Sequence, residues 1–213
     1  MHNVRCTHMN DEVSRIPIFM ERMAATIAKT AGMLDHDQMA AFFQEMLSAK
    51  RVYVAGAGRS GFIAKAFGLR LMHLGMDVYI VGETITPAFR SGDTLVVFSG
   101  SGETHSMISI CGTAKDLGGR VCLITASHDS RMSRTADCIV NLGDLTGYYQ
   151  KDKKSFEIRQ LTGEYRSVTS AFAPLGTLFE TLALIFSDAV ISALIEEKKA
   201  EIDQMRARLT NVE

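Results

Sequence analysis

Apolar positions change their spacing twice along this chain. From Pro17 to about Met33 the residues Phe19, Met23, Ile27 and Ala31 recur at helical spacing, predicting an amphipathic helix. Asp35, followed three positions later by Gln38, reads as a capping box for a second helix that presents Met39, Phe42, Phe43, Met46 and Leu47. Those methionines are read as core or subunit-contact residues. Beyond residue 50 the pattern turns into short, uniformly apolar runs at Val52–Ala55, Asp77–Val81, Thr94–Phe98, Arg120–Thr125 and Cys138–Leu142. Helical segments lie between most of them, one from about Ser60 to Leu74 and another from near Glu103.

Apolar runs that alternate with helices predict a parallel sheet buried on both faces. The expected class is α/β, a three-layer αβα sandwich around a five-stranded parallel sheet of flavodoxin-like kind. In such sheets ligands bind beyond the carboxyl ends of the strands, where the strand order reverses. Asp144–Ser170 breaks the rhythm with Tyr148, Tyr149, Lys151, Lys153, Lys154, Arg159 and Arg166 in no clear period. A segment that long reads as a flap, a small hairpin or an insertion, and it is given no role. From Pro174 to about Ile195 a helix apolar on nearly all sides predicts burial in the fold or between subunits. Ile202, Met205 and Leu209 then give a terminal helical extension. One domain is expected: helices over 1–50, the sheet core over 51–143, the insertion over 144–170 and C-terminal helices over 174–213.

Composition narrows the classes. With 213 residues, 46% hydrophobic and 22% charged, the chain can bury a full core. A formal net charge of −1 argues against nucleic acid as a partner. No run of about 18 uncharged apolar residues appears, so no membrane partner is expected. The cysteines Cys6, Cys111, Cys122 and Cys138 show no paired or metal-type spacing, which fits a reducing cytoplasm. Cys6 and His8 sit in a polar tail that runs to about residue 12 and carry no metal reading.

Two loops carry the chemistry. Ser99-Gly100-Ser101-Gly102-Glu103-Thr104 follows an apolar strand and opens a helix, the arrangement that aims hydroxyls and main-chain N–H groups at an anion. A plain helix cap needs fewer hydroxyls and glycines than this. Gly56-x-Gly58-x-x-Gly61 matches the dinucleotide fingerprint, with Glu83 near the place of a ribose ligand. A nicotinamide enzyme does not need the second, hydroxyl-rich loop, and Arg59 and Ser60 suit further contacts to the same small anion. Neither a Walker lysine nor a Gly-x-Ser-x-Gly elbow is present.

Between Arg166 and Asp188 the only ionisable side chain is Glu180. In apolar surroundings such a carboxylate is a candidate general base. The plain alternative is a surface glutamate favoured by the helix dipole. His73 at a helix end is either structural or a proton carrier between sugar oxygens, and His105 at a helix start can donate to a phosphate.

These residues bring a family into view. The chain resembles sugar-isomerase (SIS) domain proteins and, within them, the 6-phospho-3-hexuloisomerase family. The likeness runs through Gly56–Gly61, Arg70-Leu71-Met72-His73-Leu74-Gly75, Gly82-Glu83-Thr84-Ile85-Thr86-Pro87, Ser99–Thr104 and Pro174-Leu175-Gly176-Thr177-Leu178-Phe179-Glu180. It implies a five-stranded parallel sheet, a homotetramer in the cytoplasm, and cofactor-free and metal-free interconversion of 3-hexulose 6-phosphate and fructose 6-phosphate. That reaction serves formaldehyde fixation or, in reverse, pentose phosphate supply. The resemblance also implies a phosphorylated ketose substrate held by Ser60 and the loop from Gly100 through His105, with Glu180 as proton acceptor. Two readings stay open beside it: another sugar-phosphate isomerase of the same fold, and a sugar-phosphate sensor. For the sensor, the first 50 residues are too short and too little basic to form a DNA-binding domain.

Overall fold

The computed structural model describes residues 13–143, 177–199 and 202–209. The polar tail, the Asp144–Ser170 insertion and Pro174–Gly176 lie outside the described residues. Helix α1 (Arg15–Ala31) starts two residues before Pro17, since a proline is tolerated in a helix's first turn. Helix α2 (His36–Ser48) is capped by Asp35, whose Oδ1 accepts from the N–H groups of Asp37 and Gln38. The reciprocal half of the capping box does not form. Gln38 Oε1 instead accepts the N–H of Asn141 at 2.8 Å, tying α2 to the far edge of the sheet.

The strands are β1 (Val52–Gly56), β2 (Val78–Ile80), β3 (Thr94–Phe98), β4 (Arg120–Thr125) and β5 (Cys138–Asn141), all parallel, in the order β2-β1-β3-β4-β5. Helices α3 (Arg59–His73) and α4 (His105–Asp116) connect them, and α5 (Thr177–Glu197) and α6 (Ile202–Arg206) follow. Alternate residues of each strand feed opposite faces. Val52, Val54, Val96, Phe98, Cys122 and Ile124 pack under α2, α3 and α5, while Tyr53, Ala55, Leu95, Val97, Val121 and Leu123 pack under α4 and its flanking loops. Burial on both sides explains why the strands read as continuous apolar runs. The three-layer αβα sandwich expected from the sequence is the fold observed.

Helix α5 is long and apolar enough to cross a membrane by length and composition, with a mean hydropathy of 1.9. Here it is a core helix. Leu178, Phe179, Leu182, Ala183, Phe186, Val190, Ile191 and Leu194 are buried, and Asp188, Ala189 and Ser192 face outward.

At the amino ends of the strands Arg51 forks onto Asp93 through Nε at 2.8 Å and Nη2 at 2.5 Å, and Asp93 also accepts the N–H of Arg90. Cys122 and Cys138, unpaired by spacing in sequence, are register partners on β4 and β5, where both are buried free thiols. The hydrogen bond with Cys138 and burial push the Cys122 thiol up, and burial pushes Cys111 up to about 11.

Candidate active site

The sheet order reverses between β1 and β3, which leave their carboxyl ends toward different neighbours. Gly56 lies in register with Phe98, and paired strands run only about 5 Å apart, so the loops after β1 and β3 open side by side. That is where an open α/β sheet receives its ligand.

In the first loop the chain turns at Gly58, whose φ of 59° and ψ of −131° suit glycine alone. A Cβ on Gly56 would fall 2.6 Å from the Ser60 carbonyl oxygen, so β1 and the first turn of α3 are in direct contact there. This delivers Arg59, exposed, and Ser60, half-buried, to the carboxyl end of the sheet.

In the second loop Ser99 Oγ accepts the Gly102 N–H and Ser101 Oγ accepts the Glu103 N–H, both at 3.2 Å. Accepting in this way leaves each hydroxyl its own proton to donate. Gly100 O is held by the Ala126 N–H at 3.1 Å and by Thr125 Oγ1 at 3.3 Å. Thr104 occupies the N-cap of α4 but makes no side-chain cap bond. The first turn of α4, beginning at exposed His105, therefore presents N–H groups in the manner of an anion site rather than a side-chain-capped helix.

Glu103, expected among the ligand-binding residues, has its carboxylate engaged within the protein. Its carboxylate accepts from the Arg131 N–H at 2.8 Å and from Arg131 Nε at 2.7 Å. Arg131 thus neutralises the acid of this loop. Arg131, Ser130 and Thr125 were not singled out from the sequence. Thr125, as the last residue of a strand, was the available signal.

Glu180 lies in the first turn of α5 with its side chain only 13% exposed, and its Oε2 stands 3.1 Å from Arg59 Nε. The approach is an ion pair without hydrogen-bond alignment, since Oε2 has no hydrogen-bond partner among the described residues. Burial pushes the Glu180 carboxyl above its ordinary range, and the Arg59 charge opposes that rise. Thr177 Oγ1, one turn earlier, is likewise buried without a partner among the described residues. Buried polar atoms are almost always paired, so two on one helical turn at the carboxyl end of the sheet that lack partners among the described residues set this turn apart.

His73 is not brought to this group. It ends α3, whose first residue is Arg59, and 15 helical residues put the two ends about 21 Å apart. There it is buried, and its carbonyl accepts from Arg208 Nη1 at 3.4 Å. Glu83 is paired with Lys65 at 2.5 Å rather than held open for a ribose. Among the described residues no three His, Cys, Asp or Glu side chains converge as a metal site.

Residues 45–143 match the SIS domain family model. A 3-hexulose-6-phosphate isomerase of Bacillus subtilis is 36% identical over 86% of this chain and 91% of its own. One of the same description from Mycobacterium gastri is 33% identical over 88% and 86%. The crystal structure of a hypothetical protein of Methanococcus jannaschii, from which a function of 3-hexulose-6-phosphate isomerase was inferred, superposes with a TM-score of 0.72 at 27% identity. That match covers 91% of this chain and 98% of the other. Similar to these relatives over most of its length, and carrying the hydroxyl-lined loop and the buried acid at one sheet edge, the chain belongs to the SIS domain family, on its isomerase branch.

Proposed function

We propose that this isomerase interconverts D-arabino-hex-3-ulose 6-phosphate and D-fructose 6-phosphate through a cis-enediol. The observation that carries the reading is the buried, hydrogen-bond-orphaned Glu180 oxygen beside the first glycine loop. The curated relatives named 3-hexulose-6-phosphate isomerase support the choice of substrate.

The phosphate sits at Ser99, Ser101, Thr104 and the first turn of α4, His105 included, with Arg59 and Ser60 contributing from the facing loop. Glu180 takes the proton from C2 of the ring-opened 3-ketose. The electron pair forms the C2–C3 double bond of the enediol, and the proton returns at C3. The oxygen on C3 ends as a hydroxyl and that on C2 as the carbonyl, their proton passing between them directly or through a water. Because His73 lies at the far end of α3, no step of this scheme runs through it. A positioned base contributes about 10²–10⁴-fold in rate. Exposed Phe62, Leu69 and Ile85 offer apolar surface for the homotetramer that belongs to the same proposal.

The test is conversion of 3-hexulose 6-phosphate to fructose 6-phosphate by the purified chain with chelator present, beside a panel of pentulose and other ketose phosphates. Glu180→Gln is expected to keep substrate binding and lose turnover by at least about 100-fold. Turnover equal to that of the parent protein would remove Glu180 from the scheme.

A further inference from the structure

We propose that Arg59 is the positioning residue of Glu180: its guanidinium keeps the buried carboxylate ionised and aimed while leaving the reactive lone pair uncovered. This rests on the reading of Glu180 as the base, and it adds a function that anion contact alone does not require.

The geometry is unusual for an arginine–carboxylate pair. A typical pair is fork-to-fork, with aligned N–H groups occupying the carboxylate oxygens, as Arg51 and Asp93 are in this same protein. Arg59 Nε instead stands 3.1 Å from Glu180 Oε2 without donating to it. Charge is compensated at close range, yet the oxygen keeps its lone pair for a substrate proton.

Burial makes this compensation necessary. A carboxylate withdrawn from water without an opposite charge holds its proton and cannot act as a base near neutral pH. Among the described residues, the charged group acting on Glu180 is Arg59 alone. The two side chains come from different elements, the first turns of α3 and α5, and the two helices pack together within one core cluster that includes Ala64, Phe67 and Leu71 of one and Phe179, Leu182 and Phe186 of the other. Arg59 is also 57% exposed, so its guanidinium meets solvent as well as Glu180 and has further N–H groups to donate.

The experiment compares pH profiles of kcat/KM for the parent protein, Arg59→Lys and Arg59→Gln, with circular dichroism confirming the fold of each. Loss of the charge in Arg59→Gln is expected to move the acid limb to higher pH, so that its deficit grows as pH falls and approaches about tenfold below the limb for each pKa unit of displacement. Arg59→Lys is expected to keep the limb near the parent position while raising KM. An equal deficit at every pH in Arg59→Gln, or the same displaced limb in both variants, would overturn the proposal. Infrared difference spectra against Glu180→Gln read the ionisation of Glu180 without substrate. Taken across pH, they are expected to show the protonated acid persisting to higher pH in Arg59→Gln than in the parent, and an unmoved titration would also overturn it. A fully active Glu180→Gln defeats the reading of Glu180 as base, whereas an inactive one with an unmoved Arg59→Gln limb defeats the role of Arg59 alone.

Discussion

A Cβ placed on Gly102 would lie 2.1 Å from Ser130 Oγ. The hydroxyl-rich loop and the loop after β4 are therefore packed backbone to side chain, and the contact is reinforced by the Met132 N–H donating to Gly102 O at 3.2 Å. Gly102 also has a φ of 65°, in the left-handed region. Gly102→Ala meets both obstacles at once. The backbone term is about 1–2 kcal/mol and the overpacking about 1–3 kcal/mol. Urea unfolding should show a loss of about 2–5 kcal/mol, with substrate affinity falling in parallel. Adding Ser130→Gly should restore the packing part and leave the φ part. Full restoration by the double variant would mean that the backbone conformation costs nothing.

Two arginine–carboxylate pairs should separate stability from binding. Asp93 is 5% exposed and Arg51 18%, so Asp93→Ala strands a largely buried cation and should cost about 3–5 kcal/mol while leaving KM near the parent value. Arg131 and Glu103 are 44% and 41% exposed, so Arg131→Ala should cost under about 1 kcal/mol in unfolding. Its effect should appear instead in KM, because Glu103 is then an uncompensated negative charge in the loop proposed to hold the phosphate. Parallel unfolding curves and steady-state kinetics on both variants check the contrast, and a raised KM in Asp93→Ala alone would contradict it.

Glu180 makes stability depend on pH in a defined direction. Burial, only partly opposed by Arg59, raises its carboxyl above the ordinary value in the folded state. Above about pH 4.3, where an unfolded glutamate has released its proton, the folded protein still holds it. Stability therefore falls as pH rises from there through the folded pKa, and it is flat beyond. Glu180→Gln carries no such burden. Its melting temperature should match that of the parent at acid pH and exceed it increasingly toward neutrality. Arg59, 57% exposed, loses little on losing its partner. Melting scans across pH check this, and a Gln variant less stable than the parent at neutral pH would refute the sign.

Local rules carried the sequence reading far. Residues buried on both sheet faces had to be apolar without alternation, so the five strands and the αβα layering were legible, as were the two glycine loops at strand ends. Glu180 stood out because an ionisable group is rare in a long apolar helix. Where a rule has two readings the sequence stops. Asp35 and Gln38 fit a capping box, but a hydrogen bond to Asn141, across 103 positions, claimed the Gln38 side chain. Glu103 looked like a ligand because it sits in the loop, and the loop alone does not reveal Arg131.

What the chain determined by itself was the class of fold, the hydroxyl-rich loop at a strand end and the acid set in a long apolar helix, because each depends on residues close in sequence. What only the tertiary structure decided was which groups meet: Arg59 beside Glu180, Cys122 opposite Cys138, Ser130 under Gly102, and His73 at the other end of α3 from Arg59. Those pairings are set by strand register, helix length and the packing of α3 against α5, and no local stretch of sequence encodes them.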